Sequence, residues 1–263
     1  MKRIFALLLA LLLLAMPLVS CSKDEDGEKE KVDLAVTEQG LSFTPEGTTD
    51  VFHSEYHNSD EVMIIGYEGA DVEHAITIPA EIDGRPVTKI EKDAFKSATM
   101  LTAVTLPDTV VEIDDWAFFG CVALKTVTLP NALVRIGEGT FAGCSVLSAD
   151  AELVLPTTLT EIGTMAFFAT GIQSIKIPVG VKELPEQAFM YCTNLTTVVW
   201  SEEGEEIGAF AFMYCATLSA INVPTTLKSV GEYAFTNCYS LPALVLPEGA
   251  TVGDNAFYVS YGN

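Results

Sequence analysis

Five cysteines, Cys121, Cys144, Cys192, Cys215 and Cys238, each stand three residues after a phenylalanine. Thiols at such a fixed position raise three chemistries. Zinc sites draw cysteines from close pairs such as Cys-x-x-Cys, and this chain has none. Disulfides need two side chains that approach each other, and five is an odd number. If the segments carrying these residues stack in register, every thiol points the same way. That leaves a column of buried free thiols, each acting as a small hydrophobe. Ala98 and Thr170 take the same position in two further segments, as a packing role allows.

The other chemically able residues are sparse. His53 and His57 lie four apart in His53-Ser54-Glu55-Tyr56-His57, the spacing of a helical metal pair. A zinc protease needs Glu directly after the first His, and here it is displaced by one. The stretch reads as loop and strand, so these histidines and His74 are expected at the surface. Glu202-Glu203-Gly204-Glu205-Glu206 is a dense acidic turn without the alternating ligands of a calcium loop. No nucleophile elbow, phosphate loop or dinucleotide fingerprint occurs. No catalytic centre, metal or cofactor is expected.

The sixth cysteine has a different setting. Lys2 and Arg3 precede an apolar run from Ile4 to Leu14, too short to span a membrane and laid out as a secretory signal. The run closes with Leu18-Val19-Ser20-Cys21, which resembles the bacterial lipobox. That resemblance implies removal of residues 1–20 and acylation of Cys21, so the only membrane contact is a lipid anchor. Residues 21–31 read as the lipidated Cys and a charged tether, too poor in apolar residues to fold. The acidic Ser22–Asp26 stretch is similar to the signal that places Bacteroides-type lipoproteins on the outer face of the outer membrane. The expected location is therefore the outer membrane, lipid-anchored and exposed at the cell surface. The chain carries a net charge of −22. Losing Lys2 and Arg3 leaves 12 basic against 36 acidic residues, or −24. Such a chain repels phosphate backbones, which excludes nucleic acid as a partner.

The elements that position the cysteine column follow from the phenylalanines. Phe95, Phe118, Phe141, Phe167, Phe189, Phe212, Phe235 and Phe257 are spaced 23, 23, 26, 22, 23, 23 and 22 apart. All but Phe141 follow an alanine. Five residues before each stands an aliphatic: Ile90, Ile113, Ile136, Ile162, Leu184, Ile207, Val230 or Val252. After the first seven comes a leucine or isoleucine, then an alternating pair and, in six of them, a proline, as in Val104-Thr105-Leu106-Pro107 and Ile175-Lys176-Ile177-Pro178; the fifth reads Val198-Val199-Trp200-Ser201. One such segment cannot bury its own apolar face, but stacked copies share a continuous core. The alternating residues predict short parallel strands, the proline ends each one, and the Ala-Phe segment predicts a short helical or 3₁₀ turn. Three extra residues near Ser148–Glu152 should bulge at a strand edge. The last segment, Tyr258 to Asn263, shows no polar cap.

This pattern resembles the BspA-like leucine-rich repeats of bacterial surface proteins, with consensus Ile-x-x-x-Ala-Phe-x-x-Cys-x-x-Leu-x-x-Val-x-Leu-Pro. The resemblance implies an α/β-type leucine-rich-repeat solenoid of about eight coils of ~23 residues over 76–263. Residues 32–75 read as an N-terminal cap that shields the first coil's open edge. The family also implies a cell-surface protein, some members binding host matrix glycoproteins or other bacteria. It carries no catalytic motif to transfer. A protein ligand, either a host glycoprotein or another surface protein, is the expected partner. The alternative is a structural subunit of an envelope complex.

Two faces are candidates for contact. The outward strand positions are Thr105, Thr128, Val154, Lys176, Val199, Asn222 and Val245, flanked by Ala103, Thr126, Ser174, Thr197, Ala220 and Ala243. They form a small, nearly uncharged surface suited to an extended protein segment. A second stripe follows the repeat phenylalanines: Phe119, Phe168, Met190, Met213 and Tyr258, beside Tyr191 and Tyr214. Exposed, it would be an aromatic and methionine contact ridge; folded back, it is core. Trp200 replaces a core leucine and needs a partner for its indole N–H.

Overall fold

Alternation in the Val-x-Leu segments turns one side chain of each pair inward, and the backbone then pairs with the next coil. This is what the computed structural model of the chain shows. It describes residues 36–37, 40–43, 51–56, 60–69, 72–148 and 152–260, all within one unit, Leu34–Asn263. The signal segment, Cys21, the acidic tether, His57, residues 149–151 and 261–263 lie outside the described residues. Coils are numbered here by their phenylalanine, from coil 1 (Phe95) to coil 8 (Phe257).

Three ladders run along the stack of coils, two of them with an interruption. The strand ladder begins with His74–Thr77, Leu101–Thr105 and Thr126–Thr128, all parallel. It resumes with Glu152–Val154, Ser174–Ile177, Thr197–Trp200 and Ala220–Ile221. The interruption falls between coils 2 and 3, where the three extra residues are inserted. Inward positions such as Val104, Ile175 and Val198 are buried. Val127 and Leu129, beside the interruption, are only partly so.

The second ladder runs along the corner where the chain turns back after each proline. It joins Arg85–Ile90, Glu112–Ile113, Arg135–Ile136 and Glu161–Ile162. A separate set joins Glu183–Leu184, Glu206–Ile207, Ser229–Val230 and Thr251–Val252. Directly after five of the eight aliphatics stands a glycine: Gly137, Gly163, Gly208, Gly231 or Gly253. The close approach of the coils requires them: a Cβ on Gly163 would sit 2.4 Å from the backbone nitrogen of Glu138.

The Ala-Phe segments make the third ladder, and here the local conformation differs from the sequence reading. No helix forms among the described residues. Each segment is a run of turns closed by bonds such as Ala94 N–H to Glu91 O and Ala98 N–H to Phe95 O. The residues two before and two after the phenylalanine adopt left-handed backbone, as at Asp93 (φ 60°) and Ser97 (φ 60°). A right-handed helix cannot carry such alternation. The alternation instead frees every second N–H to reach the following coil: Phe95 donates to Ala117 O (2.7 Å), Phe118 to Thr140 O (2.9 Å) and Phe189 to Ala211 O (2.8 Å).

Inside the three ladders the repeat phenylalanines stack from coil to coil. Ring centroids are 4.8 to 5.7 Å apart and the planes lie within 15° of parallel. A fully buried Phe contributes on the order of 2–3 kcal/mol, and an aromatic pair roughly 1 kcal/mol more. The stack is closed at its N-terminal end by the cap. There β1 (Val36–Thr37), β2 (Gly40–Phe43), β3 (Val51–Tyr56) and β4 (Val62–Glu68) form an antiparallel meander. β4 pairs in parallel with Arg85–Ile90, extending the corner ladder. Phe52 and Tyr67 pack their rings 6.3 and 5.0 Å from that of Phe95. At the other end Phe257 is 40% and Tyr258 52% exposed, and Leu241, Leu244 and Leu246 are partly buried.

Candidate functional site

The turn ladder fixes the cysteine column. All five residues are buried free thiols. Each Sγ–H points back along the stack and donates to the carbonyl of the preceding coil's phenylalanine. Cys121 reaches Phe95 O at 3.1 Å, Cys144 Phe118 O at 3.2 Å, and Cys192, Cys215 and Cys238 reach Phe167, Phe189 and Phe212 O at 3.0 Å. The column is thus a hydrogen-bonded one as well as apolar packing. In coil 4 Thr170 takes the position and donates within its own coil, to Phe167 O at 3.0 Å. Burial pushes the thiols up: Cys192 to about 11, Cys238 to about 12, and Cys144 and Cys215 well above the ordinary value. A thiol kept protonated is neither nucleophile nor metal ligand.

The histidines are placed by the cap. His53 lies in strand β3 rather than on a helix, and its Nε2 is 3.4 Å from Glu68 Oε1. His74 Nδ1 donates to Val72 O at 2.7 Å and its Nε2 faces the Tyr67 hydroxyl. The acidic turn is tied down by lysines. Glu205 pairs with Lys228 and lies 3.8 Å from Lys182, and the Lys228 bond holds its carboxyl below the usual range. Among the described residues no cluster of three or more His, Cys, Asp or Glu is arranged to hold a metal.

On the strand face, Thr105, Thr128 and Lys176 are exposed, and so are Val154 (71%), Val199 (47%) and Val245 (88%). Asn222 departs from the row. Its amide folds onto the neighbouring coil, accepting from Trp200 N at 2.6 Å and donating to Trp200 O at 2.5 Å. Trp200 itself is buried, and its indole Nε1 donates to Val181 O at 2.9 Å. The flanking column contains Glu152, in register with Ser174, which a count interrupted by the insertion passes over. The ridge is mostly folded in. Met190 is 4% exposed and offers no surface, while Phe119, Phe168, Met213, Tyr191 and Tyr214 are half-buried. Tyr191 and Tyr214 stack face to face at 4.8 Å, leaving only their edges outward.

Charge collects elsewhere, at the corner. Lys89 lies 2.9 Å from Glu91 and 2.8 Å from Asp114. Arg135 reaches Glu112 (3.0 Å), Asp114 (3.1 Å), Asp115 (3.0 Å) and Glu161 (2.9 Å). Burial works against both cations, but these bonds outweigh it and hold each well above its usual range. The signal for this network was in the sequence. The residue before the first six corner aliphatics reads Lys89, Glu112, Arg135, Glu161, Glu183, Glu206.

Parallel coils of this period, with a stacked Phe column and a smooth outer strand face, define a leucine-rich-repeat solenoid. Repeat proteins of this class commonly mediate protein interactions. The model of the BspA type leucine rich repeat region matches residues 74–196 and 148–262, and the chain belongs to that family. The family is generally non-enzymatic. No curated protein matches the sequence. A leucine-rich repeat protein from Bacteroides ovatus aligns with a TM-score of 0.60 at 23% identity. The alignment covers 81% of this chain and 64% of that one, less than two thirds of its length. A leucine-rich repeat protein of T. pallidum aligns with a TM-score of 0.52 at 27% identity, over 73% of this chain and 88% of that one.

Proposed function

We propose that this chain is a lipid-anchored module of the outer membrane, displayed at the cell surface, that binds an extended protein segment along its strand face. The observation that supports the reading is the segregation of surface chemistry. The strand face presents valines, threonines and small residues, with Val154, Val199 and Val245 exposed, while the ion pairs collect along the corner. An extended segment on this face covers mainly valines and threonines, and meets charge at Lys176, between Val154 and Val199, where it must offer a polar partner. The anchor rests on Cys21 and its preceding apolar run. Host matrix glycoproteins and neighbouring bacterial surface proteins are the partner classes.

The test is in two parts. Intact cells are treated with protease and this chain is followed. Loss of the chain supports surface display. Protection until the outer membrane is broken overturns it and moves the protein to an envelope scaffold. The chain is then assayed against immobilised matrix glycoproteins, alongside a Val154→Asp, Val199→Asp double variant. Saturable binding, weakened at least about tenfold by the two buried charges, is expected. Equal binding by both proteins removes the strand face from the reading.

A further inference from the structure

The corner between coils 4 and 5 breaks the rule that every other corner from coil 2 onward keeps. Elsewhere, the residue after the aliphatic uses its N–H to reach the previous coil: Gly137 to Ile113 O, Gly163 to Ile136 O, Gly208 to Leu184 O and Gly231 to Ile207 O, at 2.7 to 2.8 Å. At this corner that residue is Pro185, which has no N–H to give. The position also has little room. A Cβ on Gly163 or Gly208 would lie 2.4 or 2.6 Å from the backbone of the preceding coil. The backbone bonds therefore stop at this corner: Glu161–Ile162 ends one hydrogen-bonded sheet and Glu183–Leu184 begins another, although the two stretches still lie side by side. Just before the corner the coils pack tightly, since a Cβ on Gly180 would meet Leu159 O at 2.6 Å.

The other two sides of the same junction are closed. On the strand side, Ser174–Ile177 pairs with Thr197–Trp200 over four consecutive residues. On the turn side, Met165, Phe167 and Ala169 donate to Glu186, Ala188 and Met190 at 3.1, 2.9 and 2.8 Å. The rings of Phe167 and Phe189 stack 5.3 Å apart and 2° from parallel.

We propose that the junction of coils 4 and 5 is a hinge built into the array. It is pinned along the strand and turn sides and opens at the Pro185 corner. Coils on either side move as blocks, because their own corners are bonded. The movement changes the curvature of the strand face near Lys176 and Val199, opposite the opening. The hinge stands on the corner geometry alone and needs no assumption about what binds.

Hydrogen exchange on the full chain tests it directly. Amides of residues 182–184 are expected to exchange at least about tenfold faster than those of 205–207, the equivalent stretch one coil on. Equal protection of the two stretches overturns the proposal without any variant. A second measurement places spin labels on Glu138→Cys and Glu232→Cys, exposed sites in coils 3 and 7, the native thiols being buried. The distance distribution is expected to narrow when Pro185→Gly restores the missing N–H. Equal widths with and without Pro185 overturn it.

Discussion

At the scale of single residues, the cysteine column shows how one atom type does two jobs. The thiol fills the space a small hydrophobe would fill, and its S–H satisfies a phenylalanine carbonyl in the coil before. Cys215→Ala should therefore cost about 1–3 kcal/mol, from a small void and a lost donor. Cys215→Thr should recover part of that by filling the void, but not the bond to the preceding coil, since Thr170 in coil 4 donates to Phe167 O of its own coil. Urea titration of the three proteins gives the order. Trp200 is a second such residue. Trp200→Phe keeps the ring but leaves Val181 O without its donor, so a loss of about 1–3 kcal/mol is expected. The column itself was readable from spacing, because a fixed position within the repeat assigns all five cysteines at once. The direction of the S–H bond was not, since it depends on left-handed turns that carry aspartate, serine, tryptophan and tyrosine as readily as glycine. Asn222 was also misplaced by counting alone. Its row position is outward, but its short amide finds the Trp200 backbone before it finds solvent.

Elements are set by how closely the coils approach. Gly208→Ala would drive a methyl to 2.6 Å from the backbone of Glu186, so a loss of about 1–3 kcal/mol or more is expected. Gly249→Ala is the contrast, with open space around it and a φ of 87°. It should lose only the left-handed strain, roughly 1–2 kcal/mol. Thermal melts of the pair separate crowding from strain. The corner ion network belongs to this scale too. Arg135→Met leaves Asp114 and Asp115 with fewer partners, and about 1–2 kcal/mol should be lost, less at high salt. Strand and corner positions were legible from period and alternation, which directly encode which side chains face inward. The turns were read as helical because an Ala-Phe pair followed by polar residues carries no mark of left-handed backbone when glycine is absent. The insertion near residues 149–151 was legible as a change of length, and the structure adds that it interrupts a whole ladder.

For the whole molecule, stability should be flat over a defined pH window. Burial would raise the Asp114 carboxyl, but bonds from Lys89, the Asp115 N–H and Arg135 outweigh it and hold the group below its usual range. Unfolded aspartate binds its proton near pH ~4, so this contribution is complete above that value and is lost as pH falls toward the folded one. The raised thiols act in the opposite direction. Unfolded cysteine ionises near ~8.5, so their contribution is complete below that value and is lost as pH climbs through the folded values. Urea midpoints should therefore hold between about pH 4 and 8.5 and fall on both sides. Asp114→Asn should flatten the acid limb, and Cys215→Thr should make the alkaline limb less steep. A final consequence comes from the sense of the ladders. The turn ladder donates forward, from Phe95 to Ala117 O, while the corner amides donate backward, from Gly137 to Ile113 O. Their peptide dipoles oppose one another along the stacking axis. An α-helix accumulates terminal charge because its dipoles align. This array adds coils with no matching electrical penalty, so its length is limited by how its ends are covered and not by the field along its axis.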